Sequence, residues 1–520
     1  MLVFIISVLC VLILLYLFLA IKIAQDQQFD TYFHIFLVKQ LAKYGINFIR
    51  KENTRLIRPG YFQYPFFIHW LIARCPASSH SWLLKYINFF LHIVYALLVF
   101  VFCFHVLHSL YLSWFAMAFY LLTPAFYSLL AVGPRVKGFT PRMSGELLGS
   151  LYFVVVFLYL STPGVWLFVF ATFLGAVLFL SSKFSVQALL FGTVLLSLFT
   201  WHISLVVILF LGFLLANVLS SGLAYSLLIR QLKHLGWYFV NTIKGNMPRS
   251  DRNSIKKLYR AIASKRLPLI GKAFIMDHAI LGVLFRFPVY YFTIFAFISI
   301  LFQGHHLNVL DWFFITATIL FVAVNVRWLL FIGEAERYLN YFVPFILVEF
   351  LMHASEILLS VGLVLTIIFS LFFIIGEHFV FKPYMKKFGG SAEACFAILK
   401  KHPQQLNVAT IPYYTLGGWR ILAETEHNWL YNAGFWTNKA DQDELDSLMV
   451  KYPVLDLQKV DQLIERYQLD LIFIRPNMLP HGLACLDKFL GKDLQLAYYQ
   501  DTYILGRPAL LKLFVDKAGS

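Results

Sequence analysis

From Leu2 to Phe381 the chain is a succession of apolar runs separated by polar breaks. Many runs are long enough to cross a hydrocarbon core of about 30 Å, which takes roughly 20 helical residues. The pattern predicts membrane spans over residues 2–21, 84–106, 111–131, 147–162, 164–180, 184–200, 202–220, 279–302, 310–331, 338–353 and 356–381, with the short runs between 164 and 220 open to a re-entrant reading. Three polar stretches interrupt the series. Residues 22–82 form a first loop, with a helix expected from Thr31 to Tyr44 and closed by Gly45. Residues 221–278 read as a strongly basic loop, and residues 382–520 as a C-terminal domain.

Within that last region helix-like and strand-like periodicities alternate: Ala392 to Lys401, LNVATI, Leu457 to Tyr467, LDLIFI, Leu483 to Leu490, LQLAYY and TYILG. This predicts a small α/β sheet whose last two strands form a hairpin through Gln500 and Asp501. It holds no glycine-rich phosphate loop. The expected fold is therefore a polytopic α-helical membrane protein of about 11 spans, residues 1–381, followed by a soluble α/β domain, residues 382–520.

Composition sharpens the picture. Hydrophobic residues make up 60% of the chain and charged residues 13%, where a soluble protein carries about 25% charge. No aqueous fold hides that much apolar surface, so the bilayer is the solvent for most of the chain. The first run lacks a basic start and a small-residue cleavage site, and reads as a retained span. The net charge of +16 comes from basic residues in the loops. No nucleic-acid motif accompanies them, which points to an anionic lipid surface or a phosphate-bearing ligand. The five cysteines, Cys10, Cys75, Cys103, Cys395 and Cys485, show no metal-binding spacing; Cys395 and Cys485 share the C-terminal domain and read either as a disulfide or as buried thiols.

Two rules disagree on orientation. The positive-inside rule places the basic 221–278 loop in the cytoplasm. Counting spans from a cytoplasmic N-terminus places it outside, with the first loop, residues 132–146, residues 333–337 and the C-terminal domain. The count is preferred because it gathers the chemically unusual residues on one side.

Those residues form three groups. Asp26, Asp30 and His34 stand four residues apart beyond the first run, a spacing that lines up on one helical face. A carboxylate there can take a proton from an attacking hydroxyl, and an imidazole can orient it. The loop AVGPRVKGFTPRMSGELLG brings Arg135, Lys137, Arg142 and Glu146 to one membrane edge, and guanidinium forks suit phosphate oxygens. The segment from Arg327 to Phe345 sets Glu334, Glu336, Arg337 and Tyr338 between apolar runs, where ionisable groups are costly and mark functional sites by default. Lys183, His202 and Arg286 are further polar groups in apolar surroundings.

FDTYFHIFLVKQLAKYG resembles the opening of the first external loop of the GT-C superfamily of membrane glycosyltransferases. YFQYPFFIHWL, with Tyr64, is similar to the tyrosine-proline segment that follows, and GEAERYLNYFVP to the Glu-Arg-Tyr element at the external end of a late span. The resemblance implies a transferase that takes its sugar from a polyprenyl-phosphate donor, such as undecaprenyl phosphate, and acts in cell-envelope glycosylation. It implies Asp30 as base, with Asp26 the competing choice and His34 beside them. Arg337, Arg142, Arg135 and Lys183 would meet the donor phosphate; Glu146, Glu334, Tyr338 and Tyr64 would bind substrate. Asp26 and Asp30 do not form the DxD pair of metal-dependent members, so a monophosphate donor without an obligatory metal is expected, a divalent ion staying possible. The implied partners are the lipid-linked sugar and membrane lipids, with no nucleic acid. The implied location is a bacterial inner membrane, multi-pass, with the C-terminal domain external. A transporter or flippase of an anionic or lipid-linked substrate is the competing reading, although the two halves show no repeat of the kind carriers often have.

Overall fold

In lipid a backbone has no water to satisfy its polar groups, so long apolar runs close their hydrogen bonds internally as helices. The computed structural model describes residues 29–53, 55–58, 62, 64–126, 138–243, 252–376, 393–411, 416, 418–430, 447–451, 454–455, 459–474, 495–499 and 502–515. They fall into two compact units, one within 64–378 and one made of 28–63 with 379–520.

The first unit is helical. Four of its helices are long and apolar enough to cross a membrane: Ala77–Leu107, Arg142–Ser161, Lys183–Thr200 and Glu356–Ile375. Two bent pairs raise the number to six if each is one span. The chain is thus a polytopic helical membrane protein, and the described residues show fewer full-length spans than the 11 expected. Several predicted spans are shorter helices, Leu110–Leu122, Val165–Phe179, Val309–Val324 and Val343–His353. The last, read as a span over 338–353, covers about 16 Å and is buried from Val343 to Leu351. The predicted span 2–21 lies outside the described residues.

Local chemistry explains the bends. The predicted span 279–302 breaks at Phe287, where Ala279–Arg286 and Pro288–Phe302 meet at 99°. Pro288 cannot donate to the preceding turn and pushes Phe287 out of the helical region, to φ −145° and ψ 64°. The polar stretch read as a loop from 221 opens as a helix, Leu223–Ile243, joined to Ser204–Leu219 through a 115° bend at which Ser221 and Gly222 take positive φ. Inside the bundle, Gly145 and Gly149 of the Arg142–Ser161 helix form a small-residue face one turn apart. A Cβ at Gly149 would stand 2.4 Å from the Tyr341 ring, and one at Gly145 would stand 2.1 Å from Ser185 Oγ.

The second unit is built on a five-stranded sheet of order β2-β1-β5-β7-β6, with strands β1 (Asn407–Ile411), β2 (Asn428–Leu430), β5 (Leu471–Ile474), β6 (Gln495–Tyr499) and β7 (Thr502–Gly506); β3 (Met449–Lys451) and β4 (Val454–Leu455) pair separately. β2, β1 and β5 are parallel, β7 is antiparallel to β5, and β6 and β7 form the expected hairpin. The short helices Arg420–Glu424 and Val460–Tyr467 lie in the crossovers of the parallel strands. The helix Phe29–Tyr44, closed by Gly45 at φ 62°, belongs to this unit. Phe33 packs on Trp419 with centroids 4.7 Å apart, and Lys39 Nζ donates to the Ala423 carbonyl at 2.8 Å. Arg55 donates to the carbonyls of Leu422 (3.0 Å), Thr425 (2.5 Å) and His427 (2.8 Å), and Leu56 bridges Trp429 at the β2 edge. Cys395 is a buried free thiol, pushed by burial up to about 12, and Cys485 lies outside the described residues.

His427 makes this unit sensitive to acid. Its Nδ1 accepts from the Leu406 N–H at 3.2 Å, so Nε2 carries the proton and donates to the Leu399 carbonyl at 2.8 Å. Burial holds its pKa below the ordinary value, because a second proton would face the Leu406 N–H. Below about pH 6.5 the unfolded chain gains a proton that the folded chain refuses, so stability falls as pH drops. The β1 and β2 amides of the full chain should lose hydrogen-exchange protection between pH 7 and pH 5 more steeply than those of His427→Gln; equal slopes would show that His427 is not the group responsible.

Candidate functional site

Gly333 creates the site's central turn. Its φ of 131° and ψ of −152° suit glycine, and a Cβ there would stand 2.6 Å from the Phe184 ring. The chain then returns inward, burying Glu334, Glu336, Arg337, Tyr338 and Asn340 in sequence. Glu334 Oε2 pairs with Arg337 Nη2 at 2.6 Å, and the Arg337 guanidinium stacks 4.1 Å from the centre of the Phe184 ring.

Glu336 gathers two cations from distant sequence. Arg252 forms a close ion pair with its Oε1, and Arg286 Nη2 reaches the same oxygen at 3.1 Å. Arg286 is held by its own helix, donating from Nε to the Gly282 carbonyl at 3.1 Å, and Gly282 leaves the space that its guanidinium fills. Two guanidiniums on one carboxylate leave local positive charge.

The turn is fastened to the long helices. Asn340 Nδ2 donates to Glu146 Oε1 at 3.3 Å, Tyr338 Oη donates to Gln187 Oε1 at 3.2 Å, and Tyr95 Oη bonds the Asn340 carbonyl and Ser150. Tyr338 and Tyr341 are both buried beside this turn.

Of the residues singled out by sequence, Glu146, Glu334, Arg337 and Tyr338 share this network. Arg142 is half-buried at the first position of its helix, one turn before Glu146. Lys183 opens the helix that carries Phe184 and Gln187, with its ammonium 5.7 Å from the Tyr64 ring. Tyr64 meets His69 edge-on at 5.9 Å, and burial lowers His69 to about 3, which keeps it neutral. Asp30 is the second residue of the Phe29–Tyr44 helix, and His34 lies one turn on, buried against Phe33 in the second unit. Asp26, Arg135 and Lys137 lie outside the described residues. His202 stands between two helices on the protein surface.

Sequence reasoning missed Arg252, Gln187 and Asn340. Arg252 is one of many basic residues in its stretch and carries no local mark. Arg286, set in LLFRF, carries the signal of a charge inside an apolar run.

No protein-family model matches the chain, and no curated protein does. Among solved structures, the oligosaccharyltransferase of Archaeoglobus fulgidus tethered to an acceptor peptide superposes with a TM-score of 0.53 at 10% identity, over 96% of this chain and 74% of that one. The chain has the GT-C fold. The apo form of the archaeal protein gives a TM-score of 0.51 at 9% identity, over 94% and 74%. ArnT from Cupriavidus metallidurans aligns over 96% of this chain and 97% of its own at 12% identity, with a TM-score of 0.44. Within this fold the GEAERYLNYFVP element, one of the motifs that carried the sequence resemblance, is a segment the structure buries and fills with ion pairs.

Proposed function

We propose that the chain is a membrane glycosyltransferase that moves a sugar from a polyprenyl-phosphate donor to an acceptor, a glycolipid, polysaccharide or protein, at the external face of a bacterial inner membrane. The observation that carries the reading is the buried guanidinium cluster around Glu334 and Glu336 in a GT-C fold. Fixed cations in a low-dielectric site stabilise a phosphate that gains charge as it departs, without reorganisation.

In this reading the acceptor hydroxyl oxygen bonds to the anomeric carbon and the bond from that carbon to phosphate oxygen breaks. The polyprenyl phosphate leaves with the electron pair, and the hydroxyl proton passes to a carboxylate. Asp30 is that base, with Asp26 the alternative and His34 orienting it. Arg337, Arg142, Arg135 and Lys183 meet the phosphate; Glu146, Glu334, Tyr338 and Tyr64 contact substrate. Asp26 and Asp30 form no DxD pair, so the reading takes a monophosphate donor and leaves a divalent ion optional. The archaeal protein's tethered peptide makes a polypeptide one acceptor to include in assays.

Arg337→Lys tests the phosphate assignment. Lysine keeps the charge opposite Glu334 but loses the planar fork stacked on Phe184. The Kd for a polyprenyl-phosphate sugar should rise about tenfold or more, the loss of one charge-assisted hydrogen bond, with little change in the unfolding temperature. An unchanged Kd removes Arg337 from the donor site. Donor binding by the native protein with no transfer to any acceptor would favour the transporter reading.

A further inference from the structure

At the end of the Val309–Val324 helix remote from Glu336 lies a second set of ionisable groups. Asn325, just past that helix, accepts from Asn253 at 2.8 Å, beside the Arg252 that pairs with Glu336. Asp311 sits about 20 Å back along the axis, in the first turn. There His305 Nε2 approaches Asp311 Oδ2 at 3.1 Å, and His353 Nε2 approaches Glu349 Oε2 at 3.3 Å. The two imidazole centroids stand 5.3 Å apart, and the ligand atoms of His305, Asp311 and His353 all lie within 4.8 Å of one another.

The polar groups here exceed the hydrogen bonds available to them. Asp311 and Glu349 are fully buried, in helices otherwise apolar. One Asp311 oxygen has work: Oδ2 accepts the Asn308 N–H at 2.5 Å in a capping box. Its Oδ1, both oxygens of Glu349 and Nε2 of His353 are buried with no partner in hydrogen-bond geometry: His353 approaches Glu349 at 3.3 Å, and the Asp311 and Glu349 carboxyls interact as two acceptors that need a proton or a cation between them. Burying an ionised carboxylate without such compensation is among the costliest arrangements a fold can hold.

We infer that His305, Asp311, Glu349 and His353 form a binding site for one divalent transition-metal ion of the zinc class. A cation placed among them supplies the missing partner to Asp311 Oδ1, to Glu349 and to His353 Nε2 at once. Two imidazoles and two carboxylates make a four-ligand set that zinc takes tetrahedrally, with bonds of about 2.0–2.2 Å and hence ligand atoms about 3.3 Å apart. His305, Asp311 and His353, now within 4.8 Å of one another, reach that spacing by shifts of about an ångström, and Glu349, 3.3 Å from His353 Nε2, turns in as the fourth ligand. Calcium and magnesium demand six or more oxygens, or several retained waters, and suit this set poorly. His305 and His353 have side chains 24% and 14% exposed, which gives the ion a way in, while both carboxylates are sealed. The ion would tie the His305 loop and the start of one helix to the end of the Val343–His353 helix, away from the Glu336 cluster. The inference is independent of the glycosyl-transfer reading.

The test uses the purified full-length protein in detergent, stripped with chelator and then given Zn2+ or Co2+. One equivalent of Zn2+ should be retained through gel filtration, and Co2+ should develop the intense visible absorption of four-coordinate geometry. Zn2+ should raise the unfolding temperature where Mg2+ does not. His305→Ala and His353→Ala, at partly exposed positions, should each weaken Zn2+ binding at least tenfold, and Glu349→Gln should alter the cobalt spectrum. Retention of Zn2+ by the native chain no greater than by the His305→Ala/His353→Ala double variant would overturn the proposal and leave the cluster as a proton-holding group. Equal stabilisation by Mg2+ would overturn it as well.

Discussion

Asp30→Asn should lower sugar transfer by about 10²–10⁴-fold, the loss expected when a general base is removed, while leaving donor binding within twofold. Asparagine has the shape of aspartate and suits the first turn of a helix, so the backbone of the Phe29–Tyr44 helix is preserved. What it cannot do is accept a proton. Single-turnover transfer from a polyprenyl-phosphate sugar, measured alongside donor binding, separates the two steps. Transfer that survives Asp30→Asn and disappears in Asp26→Asn would move the base four residues back along the chain and keep the reaction. Transfer that survives both would remove the acidic opening of this segment from the chemistry.

Glu336→Gln should destabilise the protein by about 3–5 kcal/mol, the range for leaving a buried charge without its partner. Both of its cations are sealed, with Arg252 at 5% and Arg286 at 2% side-chain exposure. The neutral amide would leave two guanidiniums facing each other across one hydrogen-bonding oxygen, in surroundings where Coulomb repulsion is weakly screened. The unfolding temperature in detergent reports the loss. Arg286→Met added to Glu336→Gln should restore part of it, because one of the two opposed charges is gone and methionine fills similar apolar space. The cycle's coupling energy isolates the pair. Glu336→Gln with native stability would show that another group carries the arginines. Donor phosphate stabilising Glu336→Gln more than the native chain would fit the proposed role, since the ligand would then supply the missing anion.

Much of the architecture was legible because its determinants are local. Apolar length alone identifies a membrane chain, since a residue in lipid is priced by its own side chain and its own backbone hydrogen bond. The strands LNVATI, LDLIFI, LQLAYY and TYILG, and the helix closed by Gly45, follow from short-range periodicity and one positive-φ glycine. Glu334, Glu336 and Arg337 announced themselves as charges between apolar runs. Span boundaries were less legible: hydropathy averages over a window and does not register the turns at Phe287–Pro288 and Ser221–Gly222 that bend helices by 99° and 115°.

Pairing was decided only by the tertiary structure. Glu336 meets Arg252 and Arg286 from 84 and 50 residues away. Arg55 fastens the first loop's segment to carbonyls 367 to 372 residues on. His305 and Asp311 reach His353 only because the Val309–Val324 and Val343–His353 helices pack together. The sequence by itself determined which residues are too polar for their surroundings. A buried charge must find a partner, but any of many opposite charges could satisfy it in principle, and the choice among them belongs to the helix packing that brings two distant segments within 3 or 4 Å.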